Sequence, residues 1–126
     1  MRTLILVTSL GIAMLSACGP TSRTGAVPPD AFEMAITAQV QLVDVRTPSE
    51  FSSGHLNGAR NLDWTSGELE SQMGSLDKDT PVLVYCASGR RSAAAREALL
   101  KAGFKDVTDL AGGIQAWTAN GKPIVR

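Results

Sequence analysis

Two kinds of apolar run alternate along the chain. Gln41-Leu42-Val43-Asp44-Val45 and Pro81-Val82-Leu83-Val84-Tyr85 are short, nearly continuous and rich in Val. Strands covered on both faces show this pattern, whereas half-exposed strands alternate apolar and polar residues. Both runs predict central strands. Ala59-Arg60-Asn61-Leu62 predicts a third strand, and Lys105 to Leu110, bounded by Gly103 and by Gly112-Gly113, a fourth. Arg91 to Ala102 consists largely of Ala, Leu, Glu, Arg and Lys with Gly103 behind it, which predicts a helix with a glycine stop. Asp30 with Glu33 three residues on predicts a short helix opened by a capping box with Asp in place of Ser or Thr. Weaker periodicity predicts helices from Ser66 to Met73 and from Ile114 to Thr118. Strands alternating with helices predict an α/β domain: a mostly parallel central sheet of about five strands, helices on both faces, and a site at the carboxyl ends of the strands.

The apolar stretch from Leu4 to Leu15 does not belong to that domain. It follows Met1-Arg2 and runs into Leu15-Ser16-Ala17-Cys18-Gly19, the order of a secretory signal, and is shorter than the roughly 20 residues of a membrane-spanning helix. A cysteine directly after Leu-Ser-Ala resembles the bacterial lipobox. That likeness implies that residues 1–17 are a cleaved lipoprotein signal peptide and that Cys18 is acylated, palmitate being one such chain, as the first residue of the exported protein. It also implies a domain anchored in the bacterial cell envelope and facing the periplasm. Gly19, where an aspartate often retains lipoproteins at the inner membrane, points to the outer membrane. Residues 18–29 are rich in Gly, Pro, Ser and Thr, the composition of a flexible tether, so the folded domain is expected over residues 30–126.

The competing reading of Cys18 is a disulfide with Cys86, since an exported chain with two cysteines invites one. Acylation consumes the Cys18 thiol. It leaves Cys86 unpaired in an oxidising compartment, where a free thiol is a hazard unless it has work to do.

Length and charge narrow the rest. A chain of 126 residues has room for one compact domain, expected as a monomer. Lys plus Arg equals Asp plus Glu at 12 each, so no basic excess is available for phosphates and nucleic acid is excluded as a partner.

The chemistry concentrates in Val82-Leu83-Val84-Tyr85-Cys86-Ala87-Ser88-Gly89-Arg90-Arg91-Ser92, where a buried strand meets a helix through a tight turn. So short a loop must curl, and the amides from Ala87 onward, those of Ser88 and Gly89 among them, converge on one point, as in anion-binding nests. That point is the Cys86 sulfur. Gly89 permits the turn, while the helix start, Arg90 and Arg91 add positive potential that favours a thiolate. A thiolate so held is a nucleophile, and the same donors stabilise a bound oxyanion or a terminal persulfide sulfur. The bland reading is a strand-end cysteine packing as a small hydrophobe.

Three blocks in order resemble single-domain rhodaneses. They are the Cys86 to Arg91 loop; Asp44-Val45-Arg46 with Glu50-Phe51 and Gly54 to Asn61; and Leu110-Ala111-Gly112-Gly113-Ile114-Gln115-Ala116-Trp117. The resemblance runs from about Asp30 to the C-terminus and is strongest to small exported thiosulfate sulfurtransferases. It implies a rhodanese-like fold and a Cys86 persulfide that takes sulfane sulfur from thiosulfate and passes it to cyanide or a thiol, with no metal and no organic cofactor.

Cysteine loops with arginine also occur in phosphatases and arsenate reductases, where the arginine stands six positions after the cysteine and clamps phosphate by paired hydrogen bonds. Here that position is Ser92 and Arg91 is at the fifth, a loop one residue shorter that suits a small sulfur species better. A further alternative is a persulfide-carrying sensor or binding module with little turnover. Among the loop residues Ala87, Ser88, Gly89, Arg90 and Arg91, Arg90 is expected to bind the sulfonate end of thiosulfate and Arg91 mainly to support the loop. Asp44 and Arg46 are expected to brace the neighbouring strand end, with an ion pair between Arg46 and Glu50 as one form of that bracing. His55, the sole histidine, is read as a turn anchor, Trp64 and Trp117 as core or pocket wall, and Gly112-Gly113 as a tight turn.

Overall fold

The Val-rich runs lie side by side at the middle of one sheet. The computed structural model describes residues 25–126, so the signal segment, Cys18 and the first part of the tether lie outside the described residues. Strands β1 (Gly25–Val27), β2 (Gln41–Asp44), β3 (Arg60–Asn61), β4 (Val82–Tyr85) and β5 (Val107–Leu110) pair in the order β1-β5-β4-β2-β3, every pair parallel. Helices α1 (Pro29–Ala35), α2 (Pro48–Ser53), α3 (Glu68–Gln72), α4 (Arg90–Lys101) and α5 (Gly113–Ala119) join them.

Strand alternation divides the core into two layers. Val43, Val45, Val82, Val84, Cys86 and Val107 pack with Leu69, Ala95 and Leu99 of α3 and α4. Leu42, Leu83, Tyr85 and Leu110 pack on the other face with Phe32 of α1 and with Ile114 and Trp117 of α5. All four residues of β4 are buried, which is why its sequence carries no polar position. The parallel α/β sheet with helices on both faces is as expected.

Two local expectations are corrected. Gly25–Val27, read as tether, forms a strand paired in parallel with β5 through Gly25–Thr108, Ala26–Asp109 and Val27–Leu110, so the fold begins by Gly25 rather than near Asp30. Asp30 does not cap α1: the N-cap is Pro28, the helix begins at Pro29 and no side chain bonds its amides. Proline at the first helical position supplies the fixed φ that starts the helix, and Asp30 instead pairs with Lys122 at 2.8 Å. The capping box belongs to α2, where the Thr47 hydroxyl accepts from Glu50 N and the Glu50 carboxylate accepts from Thr47 N.

Candidate active site

Cys86 follows the last residue of β4, and α4 starts at Arg90, so three residues make the turn. Gly89 holds φ +105°, a left-handed conformation that other side chains resist. It aims its N–H at the Cys86 sulfur, 3.0 Å away. The Ser92 hydroxyl, one turn into α4, lies 3.3 Å from the same sulfur. Cys86 is a free thiol and 1% exposed. The amides of Ala87, Ser88, Arg90 and Arg91 donate to no backbone or side-chain acceptor among the described residues, as the orphan donors of a helix start must.

The carbonyls at the start of the loop are taken from behind. Ile114 N donates to Cys86 O at 2.9 Å and Gln115 N to Ala87 O at 3.1 Å, so the first turn of α5 grips the loop. Gly113, at φ +61°, makes that approach possible: a Cβ there would fall on the Ala87 carbonyl and 2.5 Å from Cys86 O. Gly112-Gly113 is therefore more than the tight turn expected of it.

Arg91 is tied to Glu50, Nη1 to Oε2 at 2.8 Å and Nη2 to Oε1 at 2.9 Å. This bidentate pair draws the Glu50 carboxyl down to about 2, helped by the Thr47 bonds and opposed by burial. Arg90 is exposed and forms no ion pair among the described residues. Ala87 and Ser88 complete the rim.

Asp44 and Arg46 sit on the opposite face of the sheet, beside Tyr85. Arg46 Nε donates to both Asp44 oxygens at 3.1 Å, and Nη2 reaches Asp44 Oδ2 at 2.7 Å and Gly54 O at 2.6 Å. Burial alone lowers the Arg46 pKa, but its bonds to Asp44 outweigh it and the net shift is upward. Burial and the Asp44 charge push the Tyr85 phenol up, and its oxygen accepts from Leu56 N at 3.0 Å. The ion pair expected between Arg46 and Glu50 is absent. The α2 capping box turns Glu50 back over Thr47 and toward Arg91, while Arg46 points to the end of α2.

His55 stacks on Phe51 at 3.7 Å between centroids and bonds Phe51 O through Nδ1 at 2.9 Å, while its backbone pairs with Val125. It anchors the turn. Sequence reasoning missed Ser92 as a partner of the sulfur, Glu50 as the partner of Arg91, and Gly113 as the seat of the loop. The signal for Ser92 was its place in the first turn of α4, which directs a side chain back over the preceding loop.

Comparison with known proteins decides the family. A rhodanese-like domain matches residues 28–120. The chain belongs to the rhodanese-like domain family. It is 40% identical over 92 residues to a sulfurtransferase of Allochromatium vinosum, covering 73% of this chain and 84% of that one. It is 39% identical over 85 residues to the thiosulfate sulfurtransferase GlpE of Shewanella oneidensis, covering 68% and 82%. The crystal structure of a rhodanese-related protein from Thermoplasma volcanium superposes with a TM-score of 0.72 at 33% identity, over 79% of this chain and 96% of that one.

Proposed function

We propose that Cys86 carries a transferable sulfur atom from thiosulfate or a similar donor to cyanide or a thiol. At the level of the family the protein is a sulfurtransferase of the rhodanese type. The observation that carries the finer reading is the convergence of Gly89 N and Ser92 Oγ on the Cys86 sulfur at the start of α4. The Cys86 thiolate attacks the outer sulfur of thiosulfate. A new S–S bond forms, the old one breaks, and its electron pair leaves on sulfite. Cyanide carbon then attacks the terminal persulfide sulfur, the S–S pair returns to Cys86, and thiocyanate departs. Charge balances in both steps, and a negative charge stays on sulfur within the ring of donors, which costs no reorganisation.

Arg90, exposed and without an ion pair among the described residues, is the residue we assign to the sulfonate oxygens. Arg91 supports the loop, since both of its terminal nitrogens are committed to Glu50. The same commitment speaks against phosphate transfer, which needs a free guanidinium for paired clamping. Arg90→Lys is expected to raise the Michaelis constant for thiosulfate with little change in melting temperature, and Arg91→Lys to lower the melting temperature.

The lipobox-like Leu15-Ser16-Ala17-Cys18 supports an acylated Cys18 and a domain held in the cell envelope, facing the periplasm. The primary test is a thiosulfate to cyanide assay on the full chain, with Cys86→Ala as control. Thiocyanate from the wild type and none from the variant is expected. No thiocyanate from the wild type, or hydrolysis of an aryl phosphate lost with Cys86, overturns the reading.

A further inference from the structure

A thiolate has two common reactions with sulfur compounds, transfer of a terminal sulfur and disulfide exchange, and the surroundings of Cys86 suit only the first. The residue is 1% exposed. Inward it packs in one cluster with Val43, Val45, Val84, Ala95 and Leu99, and a core at interior density has no room for a reagent. On the loop side, Gly89 N stands 3.0 Å from Sγ and Ser92 Oγ 3.3 Å. The same turn carries the amides of Ala87, Ser88, Arg90 and Arg91, which have no acceptor among the described residues.

The turn cannot draw back to widen the approach. Ile114 N holds Cys86 O at 2.9 Å and Gln115 N holds Ala87 O at 3.1 Å, and Gly113 lies too close to both carbonyls to leave space for a Cβ.

A thiolate attacks sulfur in line with the bond that breaks. The outer sulfur of thiosulfate has a single bond, the one to be broken, so nothing projects sideways from it as it meets Sγ. A disulfide sulfur carries a second substituent to the side, and that carbon must occupy space held by the turn. The sulfur left on Cys86 is then neutral, and it accepts more weakly from the free amides than the anionic end of a persulfide does.

The same geometry governs a thiol acceptor. Its thiolate attacks the outer sulfur, a bond forms between them, the S–S bond of the persulfide breaks, and the electron pair returns to Sγ. Attack on Sγ instead would bond the acceptor to Cys86 and expel the outer sulfur as sulfide. That line of attack starts opposite the outer sulfur and runs through the packed cluster.

We propose that the cradle insulates Cys86 from disulfide exchange. Sγ reacts with sulfur atoms that bear no side substituent, and a thiol acceptor departs as its own persulfide without remaining on Cys86 as a mixed disulfide. An unpaired thiol so held stays free where disulfides form. The proposal rests on Cys86 being the sulfur carrier.

The test compares thiosulfate with S-methyl thiosulfate, which has the same sulfite leaving group and a methyl on the attacked sulfur. The full chain is used, with adducts read by mass on the peptide that contains Cys86 and with Cys86→Ala as blank. The folded chain is expected to take up one sulfur from thiosulfate. It is expected to gain a methylthio group at least about tenfold more slowly than the chain unfolded in urea, a loss on the scale of one hydrogen bond to a charged group. Methylthiolation as fast in the folded chain as in urea overturns the proposal. Chain loaded with one sulfur is then mixed with equimolar glutathione. Unmodified Cys86 and glutathione persulfide, trapped by alkylation, are expected; glutathione joined to Cys86 also overturns it. Failure of thiosulfate to load Cys86 would remove sulfur transfer, and the S-methyl thiosulfate comparison would still decide the insulation.

Discussion

Gly113 has no side chain because the backbone that presents the sulfur occupies the space for one. Alanine there meets two penalties, a φ of +61° and a collision with the Cys86–Ala87 carbonyls, and is expected to cost about 1–3 kcal/mol and to blunt Cys86 alkylation. Gly121 is the control: its φ is +72°, but nothing lies within 4 Å of the Cβ position, so Gly121→Ala is expected to cost about 1 kcal/mol and to leave alkylation intact. Urea denaturation with iodoacetamide kinetics separates the two. Glu50 supplies a pH signature at the same scale. Its carboxyl is lowered from 4.5 to about 2 in the folded protein, so its pair with Arg91 stabilises fully above the unfolded value, and that contribution disappears as pH falls from about 4.5 toward 2. Both side chains are about a third exposed, which holds the contribution to about 1 kcal/mol or less. Melting curves of the wild type and Glu50→Gln are expected to differ at neutral pH and to converge near pH 2.

At the scale of elements, two clasps hold the loops at the carboxyl edge of the sheet. One joins the start of α2 to α4 through Glu50 and Arg91; the other fastens Gly54, after α2, to the end of β2 through Arg46 and Asp44. The second clasp is buried. Asp44→Asn leaves the Arg46 charge uncompensated and is expected to cost about 3 kcal/mol or more in urea denaturation, with Cys86 still reactive in the folded fraction, since the pair lies across the sheet from the sulfur. These clasps also mark how far the sequence could be read. Strands β2 and β4 and helix α4 were legible because continuous Val runs and an uninterrupted series of helix formers leave one interpretation. Helix α2, at six residues, and strand β1, at three, are too short to show a period. The Cys86 loop announced itself through its strand, glycine and arginines. Ser92, Glu50 and Gly113 did not, because their roles depend on which helix and strand faces meet across the sheet, and one residue's neighbours in sequence do not carry that information.

For the molecule as a whole, β1 is the piece that a sequence-based boundary at Asp30 removes. Cutting there uncovers the edge of β5, three paired residues long, and an exposed strand edge invites pairing with another chain. A chain beginning at Asp30 is expected to melt lower and to associate more than one beginning at Gly19, as read by calorimetry and light scattering. The direction of β1 has a consequence for delivery. Because it runs parallel to its neighbours, the chain enters the domain at the amino edge of the sheet, the edge opposite the one that carries Cys86. Gly19 to Thr24 are six residues, a reach of about 20 Å at full extension. If Cys18 is acylated as proposed, a segment of that reach would keep the domain close to the bilayer with β1 on the membrane side. With an acylated Cys18, as proposed above, the sulfur would look toward the aqueous space rather than toward the lipid.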